Sequence, residues 1–269
     1  MGGEMSRIVP GIYVGGLSAA KSEMQLTKYG ITHLCTVVLQ YIEVKNRKQI
    51  VFRADDSPNE RLSRFFEDAC FFIHEARVSG GSVLIHCACG VSRSVTITLA
   101  YLLVLTDLCL SDLFKAVQGA RHCACPNSGF MQQLLDFEKS SELAVLREKL
   151  FSQFGEWPED RRKADLEALN TALKAQEHFI LYGVYPGETP LPHIRKSSDM
   201  PQTNVSDQGK PVFMEPPPPI HPLKPSCYTV YCHDEKPRQL SEFLATRTRP
   251  LDTDEIPPAE SNPAAPPSS

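Results

Sequence analysis

The chain has 269 residues, of which 42% are hydrophobic, and its formal net charge is −4. That length suits one sizeable domain with additional segments, or two small domains, and the negative charge gives no support for a nucleic-acid-binding protein. No run reaches the ~18 apolar residues of a membrane-spanning helix, since the longest candidate, residues 95–105, is short and contains two threonines.

Apolar periodicity predicts alternating strands and helices from residue 7 to residue 183. The predicted strands are apolar and are bounded by glycine or polar residues: 7–16 (a strand or a small hairpin), 31–38, 49–54 and 82–86. The predicted helices repeat apolar residues at helical spacing: 18–28, 61–78, 92–105, 111–121, 128–155 and 158–183. Ser18, Ser92 and Ser111 are predicted N-caps. This order predicts an α/β domain with a mostly parallel central sheet and helices on both faces.

Proline divides the chain into two compositions. Only four of the 22 prolines precede residue 186, and the other 18 lie between Pro186 and Pro267. A segment of this kind buries too little apolar surface to fold alone, so residues 186–269 are predicted to be a disordered, proline-rich tail. Residues 1–155 form the predicted domain, and residues 156–185 an accessory amphipathic helix. Packing of that helix against the domain is the favoured interpretation, and binding of a partner is the alternative.

The tail contains overlapping P-x-x-P spacings in "MEPPPPIHPLKP", residues 214–225. Such segments form a polyproline helix that SH3- or WW-type domains bind. A flexible tail without a dedicated partner is the favoured interpretation, and recruitment of such domains is the alternative.

The nine cysteines indicate reduced thiols rather than a disulfide framework. Their number is odd, they lie inside apolar runs or in C-x-C pairs, and the chain does not open with a signal peptide, so we expect a cytoplasmic protein. A zinc site built from the pairs Cys87/Cys89 and Cys123/Cys125 is disfavoured, because the spacing is not C-x2-C and no histidine pair accompanies it.

The segment "HCACGVSRS", residues 86–94, lies at a predicted turn between a strand and a helix. Loop N–H groups and the helix dipole stabilise negative charge at Cys87, so its thiol loses a proton readily, and the same field binds an external anion such as phosphate. Gly90 allows a tight turn, and Arg93 can donate to two phosphate oxygens at once. Ser94 can donate to the thiolate. Together these residues predict attack of a thiolate on phosphorus, through a phosphocysteine intermediate.

The leaving group of such a reaction needs a proton donor. The segment "ADDSP" follows the predicted strand 49–54, and the carboxyl ends of parallel strands meet at one edge of a sheet. Asp56 is therefore the first candidate for the acid, and Asp55 is the second.

Three segments resemble the dual-specificity phosphatases, a family of cysteine-dependent protein phosphatases. "HCACGVSRS" matches their H-C-x5-R-S signature, "ADDSP", 31 residues before Cys87, resembles their general-acid loop, and "CPNSGFMQQL", residues 125–134, is similar to their N-P-N-x-G-F-x-x-Q-L segment. The small atypical, N-myristoylated branch is the most similar, and the resemblance covers about residues 5–155, the size of one domain.

This resemblance implies a role for each matched residue. Cys87 is the expected nucleophile, Asp56 the acid that later acts as base, and Ser94 the residue that assists release of the thiolate. The phosphate would be bound by the loop and its arginine: Ala88, Cys89, Gly90, Val91, Ser92 and Arg93. The resemblance implies no metal and no cofactor. Expected substrates are proteins phosphorylated on serine, threonine or tyrosine, with kinases of a MAP kinase pathway among the candidate partners.

Two cysteines and one arginine leave alternatives open. Cys125 stands where the family usually has the first Asn of N-P-N, which puts a supporting hydrogen bond in doubt. Cys89 is interpreted as a small loop residue, and a reversible disulfide with Cys87 is the alternative. Arg121 is interpreted as favouring the C-terminus of a helix, and reinforcement of the phosphate site is the alternative.

The opening "MGGEMS" fits the myristoylation pattern M-G-x-x-x-[ST], with acylation at Gly2. One myristoyl chain gives only reversible membrane binding. We therefore expect a lipoprotein shared between the cytoplasm and the cytoplasmic face of membranes.

Two rival functions keep the same loop. A phosphoinositide or an RNA 5′ end as substrate is disfavoured, because such relatives tend to carry basic residues inside the loop and "ACGVS" has none. The other rival is a catalytically silent phosphate-binding scaffold that recruits partners through the tail.

Overall fold

We describe the protein from a computed structural model that covers residues 3–40, 44 and 46–188. Gly2 and residues 189–269, which include almost all of the predicted tail, lie outside the described residues. Acylation of Gly2 and disorder of the tail are therefore predictions.

The centre of the domain is a five-stranded sheet in the order β1-β2-β5-β3-β4. The strands are β1 (Ser6–Val9), β2 (Ile12–Gly15), β3 (Ile31–Val37), β4 (Lys48–Phe52) and β5 (Ser82–His86). Strand β1 pairs with β2 in an antiparallel hairpin, and the other neighbours are parallel. The predicted mostly parallel sheet is confirmed, and residues 7–16 form the small hairpin rather than a single strand.

Strand β5 lies in the middle of this sheet, between β2 and β3. Its residues from Val83 to His86 are buried, as expected for a strand with an apolar centre that is covered on both faces. Because β2, β3, β4 and β5 are parallel, their carboxyl ends meet at one edge. We call this the catalytic edge, and Gly15, Val37, Phe52 and His86 are the last strand residues along it.

Helices cover both faces of the sheet, as predicted. The helices are α1 (Leu17–Lys21), α2 (Glu23–Lys28), α3 (Phe66–Val78), α4 (Arg93–Leu105), α5 (Leu110–Ala120), α6 (Ser128–Lys139), α7 (Ser141–Phe154) and α8 (Glu159–Tyr182), with a short 3-10 turn at Ser63–Phe65. Ala19, Ala20 and Leu26 of α1 and α2 pack with Leu84 on one face. Residues of α3 to α8 pack with Val83 on the other face.

Several helix boundaries differ from the predictions, and α3 begins at Phe66, after a 3-10 turn, rather than at residue 61. Residues 18–28 form two helices, because Ser22 is extended and its hydroxyl accepts a hydrogen bond from the N–H of Gln25, which caps α2. The N-cap of α1 is Gly16, and the predicted cap Ser18 lies inside that helix. Helix α5 begins after Cys109, whose extended backbone makes it the N-cap instead of Ser111. The long prediction 128–155 divides at Ser140, which is also extended.

Helix α4 is buried along its whole length. This burial explains its apolar composition, because it passes between the sheet and the outer helices. Within the described residues, no helix combines the length and the apolar character needed to cross a membrane.

Helix α8 packs against α5 and β1. A side chain at Gly119 of α5 would overlap the carbonyl oxygen of Ala172, so this glycine permits the close approach of the two helices. Arg77 of α3 and Asp165 of α8 form a buried ion pair at 2.7 Å. The favoured interpretation, a helix that packs on the domain, agrees with these contacts, whereas the boundary at residue 155 is still a prediction.

Candidate active site

The loop between β5 and α4 brings Cys87 to the catalytic edge. Cys87 is 1% exposed. Its Sγ accepts a hydrogen bond from the N–H of Gly90 at 3.1 Å and another from the hydroxyl of Ser94 at 3.3 Å. The strand ends, the loop turns and the helix begins within seven residues, so several donors converge on one sulfur.

The pKa of the Cys87 thiol is lowered from its ordinary value. Burial alone would raise this pKa, because it disfavours the charged form. The hydroxyl of Ser94 and the backbone N–H groups of Ser94, Val91 and Gly90 donate to the sulfur and together outweigh that effect. Hydrogen bonds to the thiolate thus prepare a nucleophile.

Gly90 is required by the shape of the loop. Its φ angle is +70°, which favours glycine. A side chain there would also overlap Gly15 at the end of β2 and approach the guanidinium of Arg121 to 2.7 Å. The loop is bonded further to the start of α1, since the N–H of Leu17 donates to the carbonyl of Ala88 at 2.9 Å.

Arg93 is the first residue of α4 and is 8% exposed. One terminal nitrogen donates to the carbonyl of Ala54 at 3.0 Å. Among the described residues its Nε has no hydrogen-bond partner, and it lies 3.6 Å from Oδ2 of Asp56, which is ion-pair range but too long for a hydrogen bond. A buried cationic donor without an acceptor can bind the oxygen of an anion.

Asp56 and Asp55 take different positions after β4. Oδ1 of Asp56 accepts from the hydroxyl of Ser92 at 2.7 Å and from Nδ2 of Asn127 at 2.9 Å. Oδ1 of Asp55 instead accepts from the N–H of Asp56 at 2.8 Å, so it stabilises the turn. The structure therefore brings Asp56 together with Arg93 and Ser92, and does not bring Asp55 to them.

Asn127 was not among the predicted site residues. Its side-chain oxygen caps α6 by accepting from the N–H of Phe130 at 3.0 Å, and its amide nitrogen donates to Asp56. The signal was present in "CPNSGF", where this is the second Asn of the matched segment. Cys125, in the first Asn position, donates its backbone N–H to the carbonyl of Val91 at 2.8 Å, a bond that does not depend on the side chain.

The favoured interpretation of Arg121 is wrong. Arg121 follows α5, but its side chain turns to the phosphate loop and is 5% exposed. Its Nε donates to the carbonyl of Gly90 at 2.6 Å, and its terminal nitrogens donate to the carbonyl of Cys89 and the hydroxyl of Ser6. Two neighbouring loop carbonyls lie within reach of the planar guanidinium, so its donors bond to them.

Two further residues complete the edge. His86 is buried beside Cys87, its Nε2 lies 2.8 Å from the hydroxyl of Thr36, and burial lowers its pKa to about 4. Cys89 is exposed, and both Cys87 and Cys89 are free thiols. His86 is thus neutral at physiological pH and adds no charge to the site.

Comparison with known proteins agrees with this geometry. Residues 12–140 match the family model "Dual specificity phosphatase, catalytic domain". Human dual specificity protein phosphatase 22 is 40% identical over 164 residues, which cover 59% of this chain and 86% of that protein. Mouse dual specificity protein phosphatase 15 is 35% identical over 175 residues, which cover 63% of this chain and 72% of that protein.

Solved structures give the same result. A crystal structure of DUSP15 superposes with a TM-score of 0.56 and 33% identity, covering 58% of this chain and all of that one. The crystal structure of a mouse putative dual specificity phosphatase complexed with zinc tungstate has a TM-score of 0.51 and 29% identity, and covers 54% of this chain and 93% of that one. The chain therefore belongs to the dual-specificity protein phosphatase family.

Proposed function

We propose that this phosphatase hydrolyses phosphotyrosine and phosphoserine or phosphothreonine in proteins through a phosphocysteine intermediate on Cys87. The observation that carries the proposal is the convergence of donors on the buried sulfur of Cys87. Arg93 and Asp56 lie 3.6 Å from each other at the same edge, so this edge carries a nucleophile, an anion-binding group and a proton donor.

In the first step, the thiolate of Cys87 attacks phosphorus and an S–P bond forms. Arg93 and the N–H groups of the loop bind the phosphoryl oxygens. The P–O bond to the substrate breaks, and protonated Asp56 gives its proton to the leaving oxygen, so an alcohol or a phenol departs.

In the second step, water attacks the phosphorus of phosphocysteine. Asp56, now a carboxylate, accepts a proton from that water, and the S–P bond breaks to release inorganic phosphate. The hydroxyl of Ser94 stabilises the departing thiolate, since it already donates to Sγ at 3.3 Å. No redox change occurs in either step.

The test is hydrolysis of aryl phosphates against pH by the intact protein, Cys87→Ser and Asp56→Ala. We expect Cys87→Ser to abolish turnover, and Asp56→Ala to remove one limb of the pH profile for a substrate with a poor leaving group. Absence of turnover by the folded, reduced protein would refute the proposal and favour the phosphate-binding scaffold.

We also propose that Gly2 carries a myristoyl group and that part of the protein lies at the cytoplasmic face of membranes. The supporting observation is the pattern "MGGEMS". Mass spectrometry of the cellular protein tests the acylation. Gly2→Ala should move the membrane-bound fraction to the cytosol, and an unmodified Gly2 would contradict the proposal.

The proposed substrates are phosphorylated proteins, with kinases of a MAP kinase pathway as candidates through the resemblance of the sequence. Recruitment of SH3- or WW-type domains by residues 214–225 is a further proposal, supported by the P-x-x-P spacings. Comparison of proteins captured by the full chain and by a chain lacking residues 186–269 tests the tail, and identical captures would contradict its role.

A further inference from the structure

Arg121 contacts two neighbouring carbonyl groups of the phosphate loop. Its Nε donates to the carbonyl of Gly90 at 2.6 Å, and a terminal nitrogen donates to the carbonyl of Cys89 at 3.3 Å. The side chain of Arg121 is itself buried, with 5% exposure.

Those two carbonyls belong to the peptide groups whose N–H groups approach the sulfur of Cys87. The carbonyl of Cys89 and the N–H of Gly90 are the two ends of one peptide group, and that N–H donates to Sγ at 3.1 Å. The carbonyl of Gly90 shares its peptide group with the N–H of Val91, which also bonds to the sulfur. In a trans peptide the C=O and N–H point in opposite directions. The guanidinium of Arg121 therefore bonds the carbonyl of each peptide group, and the sulfur of Cys87 bonds the N–H on the opposite side.

We propose that Arg121 is a positioning residue for Cys87, which fixes and polarises the two peptide groups that stabilise its thiolate. An arginine keeps its positive charge at every working pH, and hydrogen bonds in a chain strengthen one another in a medium of low dielectric constant. The proposal rests on the assignment of Cys87 as the nucleophile. It adds a residue that acts on the sulfur without touching the substrate.

Other charged, titratable or hydroxyl-bearing residues also lie at this edge. Arg93 lies 3.6 Å from Asp56, and His86 is adjacent in sequence with a pKa lowered to about 4 by burial. The hydroxyl of Ser94 donates to the sulfur. Substitution of Arg121 leaves all of these residues in place, so a change in the titration of Cys87 reports on the contact made by Arg121.

The experiment compares Arg121→Met with Arg147→Met in the full chain. Arg147 is a matched control, because it also donates to backbone carbonyls, those of Leu103, Val104 and Thr106, but at the opposite end of α4. The rate of alkylation of Cys87 by iodoacetamide is measured against pH. Tandem mass spectrometry separates Cys87 from Cys89, and protection by tungstate identifies reaction at the loop.

We expect Arg121→Met to shift the midpoint of alkylation upward by about one pH unit, which makes alkylation about tenfold slower below the midpoint. Arg147→Met should keep the midpoint of the unsubstituted protein. An unchanged midpoint in a folded Arg121→Met protein would overturn the proposal, and so would an equal shift in both variants.

A second variant keeps the test decisive if circular dichroism shows that Arg121→Met does not fold. Arg121→Lys retains the charge and loses the planar fork, so an upward shift supports the proposal and an unchanged midpoint overturns it. Alkylation needs no turnover. A protein that hydrolyses no phosphate ester would therefore refute the proposed function, while the titration of Cys87 would still decide the role of Arg121.

Discussion

Arg77 and Arg93 are both buried, and they differ in how completely the protein satisfies their donors. Arg77 forms an ion pair with Asp165 at 2.7 Å, donates to the carbonyl of Pro10 and the hydroxyl of Tyr101, and stacks over the ring of Trp157. Arg93 donates to one carbonyl, and its Nε has no hydrogen-bond partner in the part of the chain that the structure describes.

The comparison separates an arginine that stabilises the fold from one whose donors are available to bind a ligand. A buried cation costs free energy unless it is paired and hydrogen-bonded. Arg77 meets that condition with partners on α8 and on the loop between β1 and β2. Arg93 meets that condition only in part, so a phosphate with several oxygens would supply the hydrogen-bond acceptors that its remaining donors lack.

The largest expected effect is on stability, from Arg77→Met. The substitution leaves the carboxylate of Asp165 buried without its cation, which costs about 3–5 kcal/mol of unfolding free energy. Urea denaturation measures the loss, and kcat of the folded fraction should not change. Arg161→Met is the control, because Arg161 lies on the same helix as Asp165, donates a hydrogen bond to the carbonyl of Arg77 and lies over the ring of Trp157, but forms no ion pair among the contacts described. An equal loss in that control would contradict the prediction.

The same substitution at Arg93 should produce the opposite pattern. Arg93→Met removes the donor for the phosphoryl oxygens, so we expect kcat/KM for an aryl phosphate to fall about 100- to 1000-fold. The unfolding free energy should change by only about 1 kcal/mol, because one hydrogen bond to Ala54 is lost. A stability loss as large as that of Arg77→Met, with activity retained, would remove the distinction between the two arginines.

A buried histidine accompanies each of the two arginines, His74 beside Arg77 and His86 at the catalytic edge. Both histidines should make the free energy of unfolding depend on pH. Burial lowers the pKa of His74 and of His86 to about 4. Below about pH 6.5 the unfolded chain binds a proton at each histidine, whereas the folded protein does not. The histidines therefore leave the free energy of unfolding undiminished above that pH and lower it as the pH falls toward 4. Each histidine contributes a slope of about 1.4 kcal/mol per pH unit.

Denaturation between pH 5 and pH 7 measures this slope. His74→Phe should reduce it by the share of one histidine, because the ring that Tyr101 contacts at 3.0 Å no longer titrates. An unchanged slope would show that other groups determine it.

Much of the fold could be predicted from the sequence because its signals are local. An apolar run such as "SVLIH" predicts a strand by itself, and the alternation of strands with helices predicts a parallel sheet. The error at residues 18–28 has an equally local cause. Ser18 and Ser22 are both good caps, and only the packed structure decides that Ser22 is extended and starts a new helix.

The site divides in the same way. Cys87, Arg93 and Ser94 lie within one short motif, and Asp56 follows from the rule that the ends of parallel strands meet. Arg121 and Asn127 depend on contacts over 31 and 71 residues, to Gly90 and Asp56. No periodicity encodes such contacts, and two interpretations of an arginine after a helix cannot be separated before the loop and the helix are placed together.

The smallest expected effect concerns the hydroxyl of Ser92, which belongs to the catalytic edge but carries no charge. It donates to Oδ1 of Asp56 at 2.7 Å and accepts from the N–H of Asn127 at 3.1 Å. Asn127 also donates to Oδ1, so this oxygen is occupied and Oδ2 is the one available to carry the proton to the leaving group. Ser92→Ala should loosen this orientation and slow hydrolysis of phenyl phosphate by about tenfold, the value of one hydrogen bond to a charged group.

Hydrolysis of p-nitrophenyl phosphate should change little in Ser92→Ala, because its leaving group needs little protonation. The ratio of the two rates is therefore the measurement, and it separates the orientation of the acid from the binding of phosphate, which Arg93→Met impairs for both substrates alike. Equal slowing of both substrates by Ser92→Ala would place this hydroxyl with the phosphate-binding groups instead, and would leave Asn127 as the residue that orients Asp56.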